Sequence, residues 1–380
     1  MSFKLKVILR ILFMDFNPAG AAINVPQIIL PSHNRHLLYP ELYGVLTKCK
    51  SGIKNNDEWD KIKKLGNPYE LIHISNRSNY NSIAKYCPVS RSYFKLWEIL
   101  NDFANILPKK SNAVVANLAE GPGGFMEAIV NYRKEEYSDK LFGITLESTN
   151  KYIPGWNIKG DNVDVSYGNI YEEKDITDYV GKIMAAGGAD LITADGGFDY
   201  SIDFNNQEQQ SYRIIYAELT CGLMMQKLGG TLICKIFDTF TEFTVKLMYL
   251  LYCLYDKIYI VKPKTSRPAN SEKYVLAMGF KGIERDLLES MKRILFNWSD
   301  EIVNLDGIVV AKEFVKALDD YNRDYVKNQI YYLNSIIDLI ENKPTKMMYR
   351  NIIKRQATSA VEWCNRYGMI INKDSKYLNY

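Results

Sequence analysis

Short apolar runs alternate with amphipathic stretches between about residues 113 and 282. The apolar runs predict seven strands: a buried one from 114 to the glycines at 121–124, and others at about 141–146, 163–167, 189–194, 231–237, 257–262 and 274–280. Apolar residues at helical spacing predict intervening helices at about 126–133, 171–184, 208–228 and 244–255. Strands that alternate with helices in this way are typical of an α/β fold. We therefore expect a Rossmann-like, doubly wound, seven-stranded and mostly parallel sheet with helices on both faces.

The pattern changes on both sides of this central domain, which we place at residues 85–282. Residues 1–84 combine an apolar run at 23–30, which predicts a short strand, with a predicted helix at 42–65 and an irregular loop at 73–86. Residues 283–380 have helical periodicity and no strand pattern. We therefore predict an N-terminal extension packed on the central domain, and a helical C-terminal extension packed on that domain or on a partner.

A glycine-rich turn follows the first predicted strand. The run Val114-Val-Ala-Asn-Leu-Ala-Glu-Gly-Pro-Gly-Gly-Phe125 breaks at its glycines and continues directly into a predicted helix. Glycine permits positive φ and lets a ligand approach the main chain where a Cβ would clash. The turn therefore predicts a nucleotide-type pocket, although a plain strand-to-helix turn without a ligand explains the glycines about as well.

Composition narrows the class of protein. The 380 residues are 47% hydrophobic and 24% charged, which is typical of a globular protein with a sizeable core. The net charge of +4 is compatible with a polyanionic partner and equally with a few solvated lysines. No stretch has the length of a membrane span, and the charged apolar start at residues 1–16 makes a poor signal peptide. We expect a soluble, intracellular protein.

Cysteine and histidine positions argue against metal and triad chemistry. The six cysteines are scattered without a Cys-x-x-Cys pair, which predicts reduced thiols and no structural zinc. The three histidines, His33, His36 and His73, all lie in the first fifth of the chain. We expect neither a histidine-based triad nor a histidine-rich metal site near the glycine-rich turn.

Four ionisable residues are candidates for chemistry. Lys235 lies inside the apolar run at 232–237, where burial of a charge is costly unless it is paired. Asp195 follows the fourth predicted strand, where the alternative to a catalytic role is that of a turn-forming residue. Glu272 precedes the last strand, where the alternative is an ordinary loop carboxylate. Lys95 lies off the apolar stripe of a predicted helix at 90–107, where a solvated lysine is the ordinary case. Because ligands bind at the carboxyl ends of parallel strands, Asp195 and Lys235 are expected near the glycine-rich turn.

Four segments, in this order, resemble those of the FtsJ-like (RrmJ-type) methyltransferases, which use S-adenosylmethionine. They are Leu118-Ala-Glu-Gly-Pro-Gly-Gly-Phe125, Thr193-Ala-Asp-Gly-Gly-Phe198, Gly230-Thr-Leu-Ile-Cys-Lys-Ile-Phe-Asp238 and Lys262-Pro-Lys-Thr-Ser-Arg-Pro-Ala-Asn-Ser-Glu-Lys-Tyr274. Within the family, the chain is most similar to the cap-specific mRNA nucleoside-2′-O-methyltransferases of eukaryotes and large DNA viruses. The similarity covers roughly residues 85–282.

The resemblance implies a catalytic tetrad of Lys95, Asp195, Lys235 and Glu272. By the family's logic, Lys235 takes up or steers the proton of a ribose 2′-hydroxyl, while Lys95 and Asp195 tune its charge state. Glu272 would orient Lys235 and the ribose. Positioning and electrostatics then carry the methyl transfer, and no metal is needed.

The resemblance also implies where S-adenosylmethionine binds. The residues expected to contact it are Ser90, Ala119, Glu120, Gly121, Pro122, Gly123, Gly124, Phe125, Asn169, Ile170 and Asp195. Many relatives have Asp where this chain has Asn169, so hydrogen bonding to adenine is retained while a charged contact is not. Glu147, at the end of the second predicted strand, is an alternative ligand for the cofactor ribose.

For the substrate, the resemblance places Asn205, Gln207, Arg267 and Glu272 at the RNA. The expected partner is the 5′ end of a capped mRNA, and other capping-enzyme subunits are candidate partners. The 7-methylguanine should occupy an aromatic or cation-stacking slot. With 28 Tyr and 5 Trp, the sequence does not locate that slot.

The expected activity is 2′-O-methylation of the first transcribed nucleotide, or of the second. Alternatives are methylation of ribosomal or other uncapped RNA, and a catalytically inactive RNA-binding subunit of a capping complex, although an intact tetrad argues against inactivity. A dehydrogenase with the same turn is more distant. The Asn, Ile, Lys and Tyr bias suggests a large-DNA-virus protein in a cytoplasmic virus factory or virion, whereas a cellular protein would be nuclear.

Overall fold

One mixed sheet forms the centre of the molecule. The computed structural model describes residues 37–54, 56–74, 81–108, 112–134, 138–147, 155–197, 205–299, 305 and 307–380. Within these ranges, seven strands are present: β1 Val114–Leu118, β2 Lys140–Thr145, β3 Val163–Tyr167, β4 Ala189–Ala194, β5 Gln226–Ile236, β6 Tyr255–Val261 and β7 Lys273–Phe280. The strand predicted at 23–30 lies outside the described residues.

The strand order is β3-β2-β1-β4-β5-β7-β6. Strands β1 to β5 pair in parallel, whereas β7 runs antiparallel to both β5 and β6. The predicted seven-stranded, mostly parallel sheet is therefore confirmed. The parallel strands end at one edge, and the residues discussed below as a candidate site lie at that edge.

Helices cover both faces of the sheet, as predicted. The described residues form α1 Pro40–Lys50, α2 Asn56–Ile62, α3 Ser92–Asp102, α4 Gly124–Arg133, α5 Glu173–Ala185, α6 Gln207–Gln210, α7 Tyr212–Met225, α8 Glu242–Leu254, α9 Arg285–Phe296, α10 Lys312–Glu341 and α11 Lys346–Arg366. Side chains alternate between the faces of a strand, so Val115 of β1 packs with α3, α4 and α11. Ala116 and Leu118 pack instead with α5, α7, α8, α9 and α10.

The helix predicted at 42–65 is wrong as a single element. The chain turns after α1, where Gly52 N donates to Cys49 O at 3.0 Å, and α2 then begins at Asn56. The turn brings Trp59 of α2 into the core with 7% exposure. Tertiary packing of two short helices therefore replaces the longer helix that periodicity predicts. The helix predicted at 90–107 is also too long, because α3 ends at Asp102.

The helix predicted at 208–228 is divided and ends early. Ser211 separates α6 from α7, and β5 begins at Gln226. Gln226 Nε2 donates to the carbonyls of Ala189 and Thr231, both at 3.2 Å, which ties the start of β5 to β4. Gly229 and Gly230 therefore lie inside β5. Gly229 has a φ of +78°, but it does not end a helix.

The C-terminal extension is helical, and it packs on the central domain. Leu318 and Leu333 of α10 join the core on one face of the sheet, and Ala360 and Trp363 of α11 join the core on the other. The divisions at residues 84 and 282 stay predictions. None of the helices in the described ranges is both long and apolar enough to cross a membrane.

Candidate active site

The four residues of the expected tetrad lie on four different elements at one edge of the sheet. Lys95 lies near the start of α3, Asp195 follows β4, Lys235 is the penultimate residue of β5 and Glu272 directly precedes β7. Because β5 and β7 are antiparallel, the end of β5 lies beside the start of β7, and Lys235 pairs with Tyr274. The register of the sheet thus brings residues distant in sequence to one place.

The four side chains form two ion pairs. Lys95 Nζ donates to Glu272 Oε2 at 2.8 Å. Lys235 Nζ lies 3.3 Å from Asp195 Oδ1 and donates to the Asp195 backbone carbonyl at 2.7 Å. All four side chains are at most 15% exposed. Separation of either pair would leave an unpaired charge that is largely buried, which is energetically costly. The two ion pairs therefore fix the positions of the four side chains.

Positive charge surrounds Glu272. Burial opposes ionisation of its carboxyl, but Lys95, Lys235 and Lys262 outweigh burial and hold its pKa below its usual range. Lys262 donates to the backbone carbonyls of Asn270 at 2.9 Å and Glu272 at 2.6 Å, and burial holds its own pKa well below the usual range. Three lysines thus surround the two carboxylates of the site. The lysines lower one another's affinity for a proton, as Lys95 does for Lys262.

Two hydroxyl groups orient the carboxylates. Tyr274 OH donates to Asp195 Oδ1 at 2.8 Å, and Ser266 Oγ donates to Glu272 Oε1 at 2.7 Å. Neither Tyr274 nor Ser266 was singled out from the sequence. Both lie within the fourth motif segment, so their signal was their proximity in sequence to Glu272.

A buried carboxyl supports the loop after β4, which carries Asp195, from behind. Glu218 of α7 is fully buried, accepts a hydrogen bond from Gly196 N at 2.8 Å and receives the Cys234 thiol at 3.5 Å. Burial outweighs the attraction of Lys235 and raises the pKa of Glu218 to about 8. On the other side, a Cβ at Gly197 would lie 2.9 Å from Lys235 Nζ, so glycine leaves room for the ammonium. Sequence reasoning missed Glu218, because a polar residue within a helix ordinarily faces solvent.

The glycine-rich turn joins β1 to α4 as predicted. The Gly121-Pro122 peptide bond is cis, and Ala119 and Gly123 have φ of 50° and 102°. A Cβ on Gly123 would lie 2.7 Å from Ile158 Cγ1. Glycine at this position therefore meets both a conformational and a packing requirement.

Two residues expected at the cofactor are buried beneath this turn. The Glu120 carboxylate accepts hydrogen bonds from the N–H groups of Phe125 and Met126 at the start of α4, and from Asn117 Nδ2 at 2.9 Å. Phe125 is fully buried. The side chains of Glu120 and Phe125 therefore hold the shape of the turn.

Polar groups suited to a nucleoside-type ligand lie at the same edge. The hydroxyls of Ser90 and Ser92 hydrogen-bond to each other beside Gly124. The Asn169 side-chain oxygen, after β3, accepts from Tyr171 N at 3.0 Å, which fixes its orientation. Together with the half-buried backbone of the turn, these groups fit a ligand that carries hydroxyl and amino groups, because small residues permit close approach and the side chains supply hydrogen bonds.

An aromatic residue lies beside the turn. A Cβ on Gly143 of β2 would lie 2.7 Å from Trp156 Cη2, so the indole packs directly on the strand. Ile170 is buried after β3, and Glu147 is exposed after β2. The cofactor roles of Ile170 and Glu147 stay predictions.

Two of the residues expected at the RNA line one cavity. The cavity has a volume of about 140 Å³ and is lined by Gln207 and Arg267, together with Trp59 of α2 and Gln329 of α10. Asn205 is half-buried in the turn before α6. The structure therefore brings Gln207 and Arg267 together, next to the loop that leads to Glu272.

Arg267 is also an anchor of that loop. Its guanidinium donates to Glu70 through Nη2 at 2.9 Å and through Nε at 3.2 Å. Arg91 donates to the same carboxylate at 2.8 Å. Glu70 is buried, and Arg267 and Arg91 hold its pKa below the usual range against the effect of burial. Arg267 is half-buried, so a role at the substrate would be additional to this structural one.

Metal-binding clusters are absent from the part of the chain that the structure describes: no three His, Cys, Asp or Glu side chains are grouped there to hold an ion. The six cysteines, all described, are free thiols.

Comparison with known proteins places these features in a family. The FtsJ-like methyltransferases match residues 88–280. The chain is 31% identical over 255 residues to cap-specific mRNA (nucleoside-2′-O-)-methyltransferase 1A of Caenorhabditis briggsae, a match that covers 60% of this chain and 28% of that protein. It is 32% identical over 310 residues to cap-specific mRNA (nucleoside-2′-O-)-methyltransferase 1 of Mus musculus, covering 75% of this chain and 36% of the relative.

The seven-stranded sheet, with helices on both faces and a glycine-rich turn after β1, is that of an α/β methyltransferase. The chain belongs to the FtsJ-like methyltransferases, a family of the S-adenosylmethionine-dependent type. The match spans about a third of the length of the curated relatives.

Proposed function

We propose that this chain transfers a methyl group from S-adenosylmethionine to the ribose 2′-hydroxyl of the first transcribed nucleotide of a capped mRNA. The convergence of the two ion pairs, Lys95 with Glu272 and Lys235 with Asp195, carries the proposal. The names of the relatives at 31% and 32% identity favour capped over uncapped RNA. The second transcribed nucleotide is the alternative target.

The chemistry requires an oxygen–carbon bond to form, a sulfur–carbon bond to break and the hydroxyl proton to leave. S-adenosylmethionine supplies an electrophilic methyl group on a positively charged sulfur. Lys235 Nζ is held by the side chain and carbonyl of Asp195. As the neutral amine it receives the hydroxyl proton, and as the ammonium it orients the oxygen while the proton leaves to solvent. Glu272, fixed by Lys95 and Ser266, orients the ribose. Positioning in a poorly hydrated site supplies most of the rate enhancement in this scheme.

In this proposal the cofactor lies against the glycine-rich turn. The residues assigned to it are Ser90, Ala119, Glu120, Gly121, Pro122, Gly123, Gly124, Phe125, Asn169, Ile170 and Asp195. Glu120 and Phe125 contribute through the backbone, since their side chains are buried. Ser90 and Asn169 supply hydroxyl and amide hydrogen-bonding groups.

We place the cap guanine in the 140 Å³ cavity beside Arg267. The guanidinium of Arg267 offers a surface for stacking, and Gln207 offers an amide for the base edge. Gln207→Ala should raise the KM for capped RNA about tenfold, at the lower end of the cost of losing a hydrogen bond to a base edge. An unchanged KM would place the cap elsewhere.

The proposal also bears on location. Capped mRNA is made in the nucleus of cells and in the cytoplasm by many large DNA viruses. The relatives named above come from animals, which favours a nuclear location. Other capping-enzyme subunits stay candidate partners.

The test is transfer of labelled methyl from S-adenosylmethionine to a short RNA that begins with m7GpppA. The same RNA already methylated at the first 2′-hydroxyl, and the same RNA without a cap, serve as comparisons. Label on the unmethylated capped RNA alone supports the proposal. Label on both capped RNAs moves the target to the second nucleotide, and equal label on uncapped RNA overturns the cap assignment.

A variant of the same protein identifies the catalytic lysine. Lys235→Ala should lower the rate by at least about 100-fold, the lower end for loss of a general acid or base, while S-adenosylmethionine still binds. Wild-type turnover in that variant would exclude the tetrad. Cofactor binding without transfer to any RNA by the wild type would favour the inactive RNA-binding subunit.

A further inference from the structure

A segment that runs from residue 342 into α11 carries the excess positive charge of the whole chain. Residues 342–361 contain no Asp or Glu, and their five basic residues are Lys343, Lys346, Arg350, Lys354 and Arg355. The complete chain has 48 basic and 44 acidic residues, so everything outside this segment has a net charge of −1. One short segment therefore makes the protein basic.

The five basic side chains are exposed, and no ion pair within the described ranges joins any of them to a carboxylate. Lys346, Arg350 and Lys354 are spaced four residues apart, which places them on one face of the helix. Like charges at this spacing repel one another, and cations near the start of a helix oppose its dipole. The arrangement costs helix stability, and a bound polyanion would offset that cost.

Contacts with α3 fix the direction in which α11 runs. Trp363 Nε1 donates to Glu98 Oε2 at 3.2 Å, and Arg366 donates to Asp102 at 2.8 Å. Later residues of α11 thus meet later residues of α3, so the two helices run in the same general direction where they meet. Since Lys95 lies at the start of α3, the first half of α11 extends from the end of α3 at which the active site lies.

Gln356 connects this half-helix to the substrate cavity. Its Nε2 donates to the carbonyls of Lys64 and Asn67, both at 2.8 Å. Lys63 and Gly66, in the same segment, line the 140 Å³ cavity. At 1.5 Å per residue, Lys354 to Lys346 occupy about 12 Å of helix beyond Gln356. The basic stripe therefore begins close to the cavity rim and leads away from it.

Aromatic side chains accompany the stripe. Tyr349 and Tyr380 are 42% and 45% exposed, and the rings of Tyr377 and Tyr380 lie 6.0 Å apart. Burial, with the hydroxyls of Tyr377 and Tyr380 nearby, raises the pKa of Tyr349, so the three phenols are neighbours. Proteins that bind single-stranded nucleic acid combine basic side chains for phosphates with aromatic rings on which bases stack.

We propose that the exposed side of residues 343–355, with Tyr349, Tyr377 and Tyr380, binds the single-stranded RNA that follows the capped end. The assignment rests on the proposed function, because it takes the 5′ end of the RNA to lie in the catalytic cleft. The charge favours RNA over a protein partner, since five basic side chains without an ion pair match a run of phosphates, which only a strongly acidic protein surface would imitate.

The test uses two variants with the same change of net charge. One combines Lys346→Glu, Arg350→Glu and Lys354→Glu. The matched control combines Lys140→Glu, Lys257→Glu and Lys281→Glu, which are exposed at the opposite edge of the sheet. Thermal unfolding checks that both variants are folded, and acidic residues in the first turns of α11 should favour its dipole.

The measurements are the affinity for a capped 20-nucleotide RNA over a series of salt concentrations, and the KM for the capped dinucleotide m7GpppA. The α11 variant should bind the 20-mer at least tenfold more weakly, with a log–log salt slope smaller by about 2, because each lost single-strand phosphate contact removes about 0.7. Its KM for the dinucleotide should stay within twofold, and the control should retain wild-type affinity.

Equal losses in both variants, or wild-type affinity in the α11 variant, would overturn the proposal, and the second result would point to an acidic protein partner. Failure of the proposed function is a separate observation: the wild type would then methylate no capped dinucleotide, while the difference in 20-mer binding would persist.

Discussion

Glu218 Oε1 accepts a 2.8 Å hydrogen bond from the main-chain N–H of Gly196, the residue directly after Asp195. Its other oxygen receives the thiol of Cys234, the residue directly before Lys235. One buried side chain of α7 thus supports the ends of both strands that carry the lysine–aspartate pair. Its function is to position those residues, since it lies behind them.

Two substitutions of Glu218 distinguish the effect of its hydrogen bond on the rate of methyl transfer from the effect of its charge. Because the pKa of Glu218 is raised to about 8, the group is protonated at neutral pH, and Glu218→Gln should keep the rate of methyl transfer within about twofold. Glu218→Leu leaves the Gly196 N–H unsatisfied, at a cost of about 1–3 kcal/mol, and should lower the rate about tenfold or more.

Single-turnover rates and thermal unfolding distinguish the two substitutions. Above pH 8, ionisation of Glu218 adds a negative charge near Lys235, so the pH profile of the wild type should change there and that of Glu218→Gln should not. Equal rate losses in the Gln and Leu variants would show that charge, rather than the hydrogen bond, matters.

The long helix α10 holds the loop that carries Glu272. Tyr325 OH donates to the Asn270 carbonyl at 2.9 Å, and Gln329 Nε2 donates to the Ala269 carbonyl at 3.1 Å. Tyr325→Phe removes one of these bonds and should cost about 1 kcal/mol of stability. We expect kcat to fall about three- to tenfold as the loop loosens.

A second tyrosine on the same helix is the control. Tyr331 is 61% exposed, so Tyr331→Phe should change neither kcat nor the midpoint of urea unfolding. If Tyr325→Phe behaved like this control, α10 would have no part in positioning the loop that carries Glu272.

Gly123 and Gly187 form a matched pair for the glycine-rich turn. Their φ angles are +102° and +105°, but a Cβ on Gly123 would lie 2.7 Å from Ile158 whereas Gly187 has open space around it. Gly187→Ala should cost only the conformational strain, about 1 kcal/mol. Gly123→Ala should cost more and should weaken S-adenosylmethionine binding at least tenfold. Calorimetric binding and urea unfolding measure both, and equal effects would contradict the role assigned to the turn.

His73 makes the stability of the protein depend on pH. Its Nδ1 is buried without a hydrogen-bond partner among the described residues, and burial, with Arg91 nearby, lowers its pKa from 6.5 to about 4. Between these values the unfolded chain binds a proton that the folded protein does not. The contribution of His73 is therefore complete above pH 6.5 and falls as the pH drops towards 4, by up to about 3 kcal/mol.

His73→Phe isolates this contribution from those of other titrating groups. From pH 7.5 to pH 5, the free energy of unfolding should fall more in the wild type than in the variant, as measured by urea unfolding. Parallel losses in the two proteins would show that His73 titrates normally.

Most of the strands were predictable because they are short apolar runs that the sheet and its helices bury. The edge strand β3 is the exception, since its Tyr167 is 57% exposed. Six of the seven strands begin within two residues of their predicted starts. The exception is β5, which begins at Gln226, five residues before its predicted start. Its first residues are polar, and only pairing with β4 makes them a strand. The predicted helix ends were wrong because they too depend on tertiary contacts. The turn after α1, for example, depends on packing that hydrophobic periodicity does not report.

The sequence by itself determined the order of strands and helices, the glycine-rich turn and the four residues of the expected tetrad, because local patterns and motif segments carry that information. Only the tertiary structure decided which side chains support them. Glu218 behind Asp195, and Trp363 on Glu98, are contacts between residues far apart in the chain. A buried carboxylate and a solvated one look alike in a sequence, and the burial that separates them exists only once the helices have packed on the sheet.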